Sequence, residues 1–152
     1  VGPDWTLFRT RGALAPHPVV WADITRRPAA VALGDPGPER PIPLNTCYVA
    51  GAPDERSALA IAAVFNSTWT LALVHVIADE ARGGYRRVNA RVACDIPVPA
   101  DARAIQRVAS VSKRAHATHD VSQDDLDDAV AEAFDLTPRT RQSLRALAAD
   151  RR

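Results

Sequence analysis

The sequence lacks several residue patterns that would assign a chemical class directly. Its 152 residues include no methionine, two cysteines and 5% aromatic residues. Cys47 and Cys94 cannot build a disulfide scaffold, and no paired cysteine and histidine spacing predicts a zinc site. No signal-peptide pattern is recognisable either, so we expect a cytoplasmic location. Because the sequence opens at Val1 and contains no methionine, we also expect it to be a piece of a larger protein.

Long hydrophobic runs are also missing. Residues 58–78 are long enough to span a membrane, but polar residues interrupt the middle of this segment. They are Asn66, Ser67, Thr68, Thr70 and His75. The pattern predicts a buried core helix that is bent near Asn66 and Ser67, and it predicts no membrane partner.

The first part of the chain has the pattern of strands joined by turns. Short apolar runs predict strands at Val19–Ile24, Ala29–Leu33 and Thr46–Ala50. Residues 34–43 contain four prolines and two glycines, which excludes a helix interior or a central strand and predicts a surface loop. The acidic residues after Pro53 predict the start of a helix that continues to about Arg82.

Gly83 and Gly84 predict the end of this helix, since glycine adopts the left-handed cap conformation without steric cost. Beyond them apolar and polar residues alternate, which is the period of a strand with one solvated face. We predict that this strand ends before the prolines at 97 and 99, because proline cannot donate to a strand ladder. Its apolar positions are Val88, Ala90, Val92, Cys94 and Ile96.

The rest of the chain is predicted to be helical. Asp101 can cap a helix, Ser122 and Asp125 have the spacing of a capping box, and Thr137-Pro138 predicts the start of a last helix. The sequence therefore predicts an α+β fold, with a small mixed or antiparallel sheet around one long buried helix. Residues 1–99 would form this α+β domain, and residues 100–152 would form a helical C-terminal extension.

Charge is unevenly distributed along the chain. The formal net charge is +1, which by itself indicates no nucleic-acid partner. Residues 1–81 nevertheless carry −2, residues 82–114 carry +6, residues 120–135 carry −7 and residues 136–152 carry +4. A concentrated basic segment suits contacts with phosphates. The alternative is a solvated face whose arginines pair with the acidic segment at 120–135.

The basic segment contains the predicted binding site. It begins with a glycine pair, an aromatic ring and two guanidinium groups, and the polar face of the predicted strand follows directly. Arginine reads guanine edges and asparagine reads adenine edges in the major groove of DNA. The predicted DNA-binding residues are Gly83, Gly84, Tyr85, Arg86, Arg87, Asn89 and Arg91.

Several short motifs occur in an order and spacing that are more specific than any one of them. They are Val19–Ile24, Asn45-Thr46 with Tyr48, Phe65-Asn66-Ser67, Gly83-Gly84-Tyr85-Arg86-Arg87 and Ile96-Pro97-Val98-Pro99. In this arrangement residues 43–99, together with the strand before them, resemble the C-terminal target-recognition domain of N6-adenine DNA methyltransferases from restriction-modification systems. The sequence departs from the family at Phe65, where the family has leucine.

The resemblance implies a domain that reads DNA sequence, while a separate catalytic domain binds S-adenosylmethionine and methylates adenine. That reaction requires the target base to be extruded from the duplex. The family's Asn/Asp-Pro-Pro-Tyr/Phe signature is absent, since Asp35-Pro36-Gly37 departs from it at the third position. No glycine-rich loop between a strand and a helix is available for a cofactor. We therefore expect no catalytic, cofactor-binding or metal-binding residues here, no enzymatic activity of this chain alone, and two partners: double-stranded DNA and the catalytic domain.

Two other interpretations stay open. The same fold would serve in a specificity subunit of a multi-subunit restriction complex, in which other chains methylate and cleave. A catalytic Asn-Pro-Pro-Tyr motif upstream of Val1 would separate the methyltransferase from this subunit. A protein-interaction module is the third interpretation, in which the acidic helix at 120–135 and the arginine-rich end bind a protein partner without DNA binding.

Overall fold

The chain has a mixed α+β fold, as predicted. The computed structural model describes residues 14–34, 37–44, 46–118 and 121–149, so Asn45, Asp35-Pro36 and the first part of the proposed 1–99 domain lie outside the described residues. Its strands are β1 (His17–Ala22), β2 (Ile24–Thr25), β3 (Ala30–Ala32), β4 (Cys47–Ala52), β5 (Glu80–Ala81) and β6 (Tyr85–Arg87). Its helices are α1 (Glu55–Asn66), α2 (Thr68–Ile77), α3 (Ala90–Cys94), α4 (Ala102–Thr118), α5 (Gln123–Ala133) and α6 (Pro138–Ala149).

The first three predicted strands are confirmed as β1, β3 and β4, which form one antiparallel sheet in the order β3-β1-β4. The predicted end of the first strand at Ile24 is wrong, because β1 ends at Ala22 and Ile24 lies in β2. Val19 pairs with Ala32 on one side and with Ala50 on the other, and Trp21 is two residues further along the same face. Val19 and Trp21 are buried because this face packs on α1. The described residues of the predicted loop at 34–43 contain no helix or strand, which confirms that prediction.

The predicted long helix is broken where the sequence predicted a bend. The axes of α1 and α2 differ by 67°. Ser67 ends α1 and caps α2, since its hydroxyl donates to the Val64 carbonyl at 2.7 Å and accepts from the Thr70 amide at 3.2 Å. The predicted end near Arg82 is wrong, because α2 ends at Ile77 and the chain then enters β5. Among the described residues no single helix is long and apolar enough to cross a membrane, although α1 and α2 meet that test together as a bent pair.

Phe65 and Asn66 join the broken helix to the sheet. The Phe65 ring packs against Trp21, with 5.2 Å between the ring centroids. The Asn66 side chain accepts from the Ala30 amide at 2.8 Å and donates to the Ala30 carbonyl at 2.9 Å. Asn66 therefore satisfies both backbone groups of a residue in β3, at the edge of the sheet, as a neighbouring strand would.

The predicted strand over 88–96 is wrong. Residues 90–94 form α3, and the Asn89 side chain caps it by accepting from the Val92 amide at 3.1 Å. The buried residues are Val88, Val92 and Ile96, which are four apart, whereas Ala90 and Cys94 between them are exposed. A spacing of four residues fits the period of a helix as well as that of a strand, so the alternation was ambiguous.

The predicted helices after residue 100 are confirmed. Asp101 accepts from the amides of Arg103 and Ala104 at the start of α4, and Ser122 and Asp125 form a complete capping box on α5. The Asp54 side chain likewise caps α1, by accepting from the Ser57 amide. The hydrogen bond from the Ser57 amide holds the pKa of the exposed Asp54 carboxyl below its ordinary value, because it stabilises the charged form.

One hydrophobic core includes residues from both sides of the predicted domain boundary at 99. Val108 on α4 and Val130 on α5 are almost completely buried, and they belong to the same cluster as Val19, Val64 and Val92. Residues 97–100, which contain the boundary, form neither helix nor strand. The division into 1–99 and 100–152 stays a prediction, and the described parts of the two segments pack together.

Candidate nucleic-acid interface

A second antiparallel sheet, together with the turn between two of its strands, carries five of the seven predicted DNA-binding residues. Its strand order is β2-β6-β5, so β6 lies in the middle. Arg86 pairs with Thr25 on one side and with Glu80 on the other, while Arg87 pairs with Ile24. The sheet thus joins the glycine-tyrosine-arginine segment to a part of the chain about sixty residues earlier.

Gly83 and Gly84 form the turn between β5 and β6. Their φ angles are +79° and +76°, which confirms the left-handed conformation expected of them. The expectation that they end a helix is wrong, since they connect two strands. Both glycines are exposed, so the tip of the hairpin presents backbone to solvent.

Alanine in place of Gly84 is expected to lower the free energy of unfolding by about 1–2 kcal/mol, because an L-residue is strained in the left-handed region. No atom lies within 4 Å of a Cβ built at Gly84, so the cost is backbone strain alone. Gly34→Ala is the matched control, since Gly34 is equally open but lies outside the left-handed region. Urea unfolding compares the two variants, and equal stability would contradict the described turn.

The small sheet is anchored to the core next to the predicted site. The indole of Trp21 donates to the Val88 carbonyl at 2.8 Å, and the Val88 amide donates to the Asp23 carbonyl at 2.6 Å. Val88 itself is 1% exposed. Val88, which directly follows β6, is therefore held by the buried Trp21 indole and by the backbone of Asp23. These two hydrogen bonds fix the end of β6 against the core.

Arg86 and Arg87 both face carboxylates of this sheet region. Arg86 lies 3.7 Å from Glu80, and its side chain is only 17% exposed. Arg87 lies 3.8 Å from Asp23, and its side chain is 51% exposed. Arg86 also donates to the Ala78 carbonyl at 3.5 Å. The Arg86 guanidinium is thus mostly buried and engaged by groups of the protein, whereas about half of the Arg87 side chain is accessible to a ligand.

Asn89 and Arg91 do not continue the strand as predicted. The Asn89 side-chain oxygen is used to cap α3, and the residue is half-buried. Arg91 lies in the first turn of α3 and is exposed. The structure therefore brings Gly83, Gly84 and Tyr85 together at the hairpin, with Arg91 just beyond it.

The structure adds two arginines that sequence reasoning missed. Arg26 and Arg27 follow β2 and are exposed, and the Arg26 guanidinium carbon lies 4.8 Å from the centroid of the Tyr85 ring. The Thr25 hydroxyl fixes this turn, since it accepts from the Arg27 amide at 3.2 Å and donates to the Arg27 carbonyl at 2.6 Å. No local signal could have found Arg26, because its proximity to Tyr85 depends on the pairing of β2 with β6. Arg27 is the next residue in the chain.

We define the hairpin surface as Arg26, Arg27, Arg82, Tyr85, Arg87 and Arg91. Within the described ranges, only Arg87 of these arginines forms an ion pair with a carboxylate. Four exposed arginines, which are Arg26 and Arg27 after β2, Arg82 in the turn and Arg91 in α3, therefore have no acidic partner in the described part of the chain. The positive charges in such a group repel one another, and a bound anion offsets this repulsion.

The acidic helix α5 neutralises other parts of the protein. Glu132 contacts Arg107 of α4, and Asp128 contacts Arg141 of α6 at 3.1 Å. Asp127 is buried and accepts from the Thr68 amide at 2.8 Å. In the alternative interpretation the basic segment pairs with the acidic segment at 120–135, and this holds for Arg107. The ion pairs described for the hairpin involve Asp23 and Glu80, which lie outside that acidic segment.

Over the described ranges, no group of three or more histidine, cysteine, aspartate or glutamate side chains is arranged to hold a metal ion. The chain matches no protein-family model, and comparison with curated proteins and with solved structures gives no match either. The functional argument therefore depends on the geometry and charge of the hairpin surface.

Proposed function

We propose that this chain is a DNA-sequence-recognition domain of an N6-adenine DNA methyltransferase, and that it binds duplex DNA through the hairpin surface. The observation that carries the proposal is the set of four exposed arginines without an acidic partner among the described residues, beside an exposed tyrosine at a tight turn. Cations of this kind neutralise phosphates and release condensed counterions, which is the main source of affinity for DNA.

The shape of the hairpin also supports the proposal. The major groove of B-DNA admits a two-stranded β-ribbon. β5 and β6 form a short hairpin with an exposed Gly83-Gly84 tip, and β2 borders β6 on its other side. Glycines at the tip leave room for the backbone to approach the groove closely. The glycine backbone of the turn would lie near base edges, while most of the arginines of the hairpin surface would lie near phosphates.

The motifs behind the resemblance have defined places in the fold. Phe65, Asn66 and Ser67 fix the break between α1 and α2 and join it to the large sheet. Gly83 and Gly84 form the turn of the hairpin. If the family keeps these motifs for the same structural reasons, it keeps the helix break and the turn that would support a recognition hairpin. In the proposal, S-adenosylmethionine and the catalytic residues belong to a separate domain, and this chain alone has no methyltransferase activity.

A protein-interaction role is less well supported by the acidic helix. Asp125 is used in the capping box, Asp127 is buried, and Asp128 and Glu132 form ion pairs within the chain. These groups are already satisfied, so a basic partner would have to compete with internal contacts. The hairpin surface differs, since all of its arginines except Arg87 lack an ion pair with a described carboxylate.

Binding of the 152-residue chain to a fluorescently labelled duplex is expected to weaken steeply with salt. If about four phosphates are neutralised, the slope of log affinity against log salt is about −3.6, a loss of roughly a hundredfold between about 50 and 200 mM. Fluorescence anisotropy over a salt series measures this slope. Undetectable binding to any duplex, or binding insensitive to salt, would count against the proposal.

A further inference from the structure

Arg26 and Tyr85 form a contact at the hairpin between two distant segments of the chain. The Arg26 guanidinium carbon lies 4.8 Å from the Tyr85 ring centroid, within the range of a cation–π interaction. The contact follows from the strand register: Thr25 pairs with Arg86, so the residue after Thr25 comes opposite the residue before Arg86.

Tyr85 is a fixed support for this contact. It is the first residue of the central strand of the small sheet and pairs with Ala81 of β5. The turn lies close to its ring, since a Cβ built on Gly83 would be 3.8 Å from Tyr85 Cδ2. Tyr85 is nevertheless 38% exposed, so both the ring and the guanidinium on it face solvent.

The contact with Tyr85 restrains the Arg26 guanidinium without using its N–H groups in an ion pair. A guanidinium is planar, and its N–H groups can form two parallel hydrogen bonds with a matching pair of acceptors. Arg26 makes no ion pair with a described carboxylate, and the residue is exposed. Two parallel donors on one guanidinium match the O6 and N7 acceptors of guanine in the major groove.

We propose that Arg26, held against the ring of Tyr85, reads the edge of a guanine in the duplex and so sets specificity at one base pair. The proposal rests on the proposed function, since it requires that the hairpin enter the major groove. It assigns different roles to adjacent residues. Arg26 discriminates between bases, whereas Arg27, which has no aromatic contact within the described ranges, neutralises a phosphate.

The test starts from the duplex that the 152-residue chain prefers in selection from a random pool. Affinities for this duplex and for its single base-pair substitutions are then compared among variants. R26K is expected to lose about tenfold or more of the discrimination at one G·C pair, because lysine keeps the charge but not the planar pair of donors. Y85A is expected to lose about threefold, since Arg26 is then no longer oriented.

Two matched variants serve as controls. Y85F keeps the aromatic ring and is expected to keep the wild-type discrimination. R27K makes the same substitution at the neighbouring exposed arginine and is also expected to keep it. For R26K the affinity for non-specific duplex should stay within about twofold of the wild type, since the number of cations is unchanged.

The possible failures are distinguishable. If the wild-type chain binds no duplex, the proposed function fails. If it binds without any base preference, sequence recognition fails and the inference fails with it, while binding to DNA stands. If R26K discriminates as well as the wild type at every position, the proposed function survives and the role of Arg26 is overturned. If R27K loses discrimination as strongly as R26K, the contact with Tyr85 is not the cause and the inference is likewise overturned.

Discussion

Reversing the charge of Arg82 and Arg91 together is expected to weaken binding of the chain to duplex DNA by about a hundredfold or more at about 0.1 M salt. Each neutralised phosphate contributes a slope of about −0.9, so each contact that is lost costs about one order of magnitude at that salt concentration. Glutamate at these positions adds repulsion to the loss. The slope of log affinity against log salt should also fall in magnitude by about two.

Arg82 and Arg91 suit this test because the fold does not depend on their side chains. Both are exposed, and neither forms an ion pair with a described carboxylate. Arg86 is a worse choice, since it is largely buried against Glu80 and donates to the Ala78 carbonyl. Charge reversal there would place two carboxylates together and disturb the hairpin itself, so a loss of binding would have two explanations.

R103E/R114E is the matched control on α4. Arg103 and Arg114 are also exposed arginines without an ion pair to a described carboxylate, and the double variant changes the net charge by the same amount. We expect at most a severalfold loss from this pair, through long-range electrostatics alone. If both double variants lose affinity equally, binding follows the net charge of the chain and the hairpin surface is not the interface.

The sequence was informative wherever one local signal decided the structure. The capping box at Ser122 and Asp125 involves residues three apart, and it predicted the start of α5 correctly. Ser67 interrupts an apolar segment with a side chain that competes for backbone hydrogen bonds, and the helix breaks there. Gly83 and Gly84 were expected in the left-handed conformation, and they adopt it.

Two predictions failed because one local pattern fits two structures. The spacing of Val88, Val92 and Ile96 suits one face of a strand and one face of a helix, and the cap provided by Asn89 selects the helix. A glycine pair after an apolar helix suits a helix end as well as a hairpin turn. Here the pairing of β5 with β6 decides for the turn, and that pairing involves residues on both sides of the glycines.

Other features depend on contacts between distant segments and have no local signal. Arg26 joins the hairpin surface because β2 pairs with β6, and the linear charge count had placed it in a segment of net charge −2. Asp127 is the second case. The sequence places it in an acidic run that is typical of a solvated helix face, yet it is 2% exposed. Both residues acquire their roles from tertiary structure.

Replacing Asp127 by alanine is expected to lower the free energy of unfolding by about 3 kcal/mol. One Asp127 carboxylate oxygen accepts from the Thr68 amide at 2.8 Å and from the Gln123 side-chain amide at 2.9 Å. Hydrogen bonds to a charged group are worth about 1.5–3 kcal/mol each, and their loss leaves the amide at the start of α2 without this acceptor. For a chain of this length the midpoint of thermal unfolding should fall by about 6–12 °C.

The position of this carboxylate explains why the effect should be large. Thr68 is the first residue of α2, so Asp127 places a negative charge at the positive end of a helix dipole. Its backbone carbonyl also accepts from the Trp69 indole at 2.7 Å, which brings α5 and the start of α2 together. Asp127 therefore connects the acidic helix to the break in the core helix, and its loss should loosen both.

Two further variants separate charge from hydrogen bonding. D127N keeps the accepting oxygen but removes the charge, so we expect it to lose only about 1 kcal/mol. D124A removes an exposed carboxylate from the first turn of the same helix and should cost at most about 0.5 kcal/mol. Denaturant unfolding followed by circular dichroism measures all three. Equal stability of D127A and D124A would contradict the buried contact between α5 and α2, whereas a graded loss in the order D124A, D127N, D127A would assign most of the effect to the two hydrogen bonds.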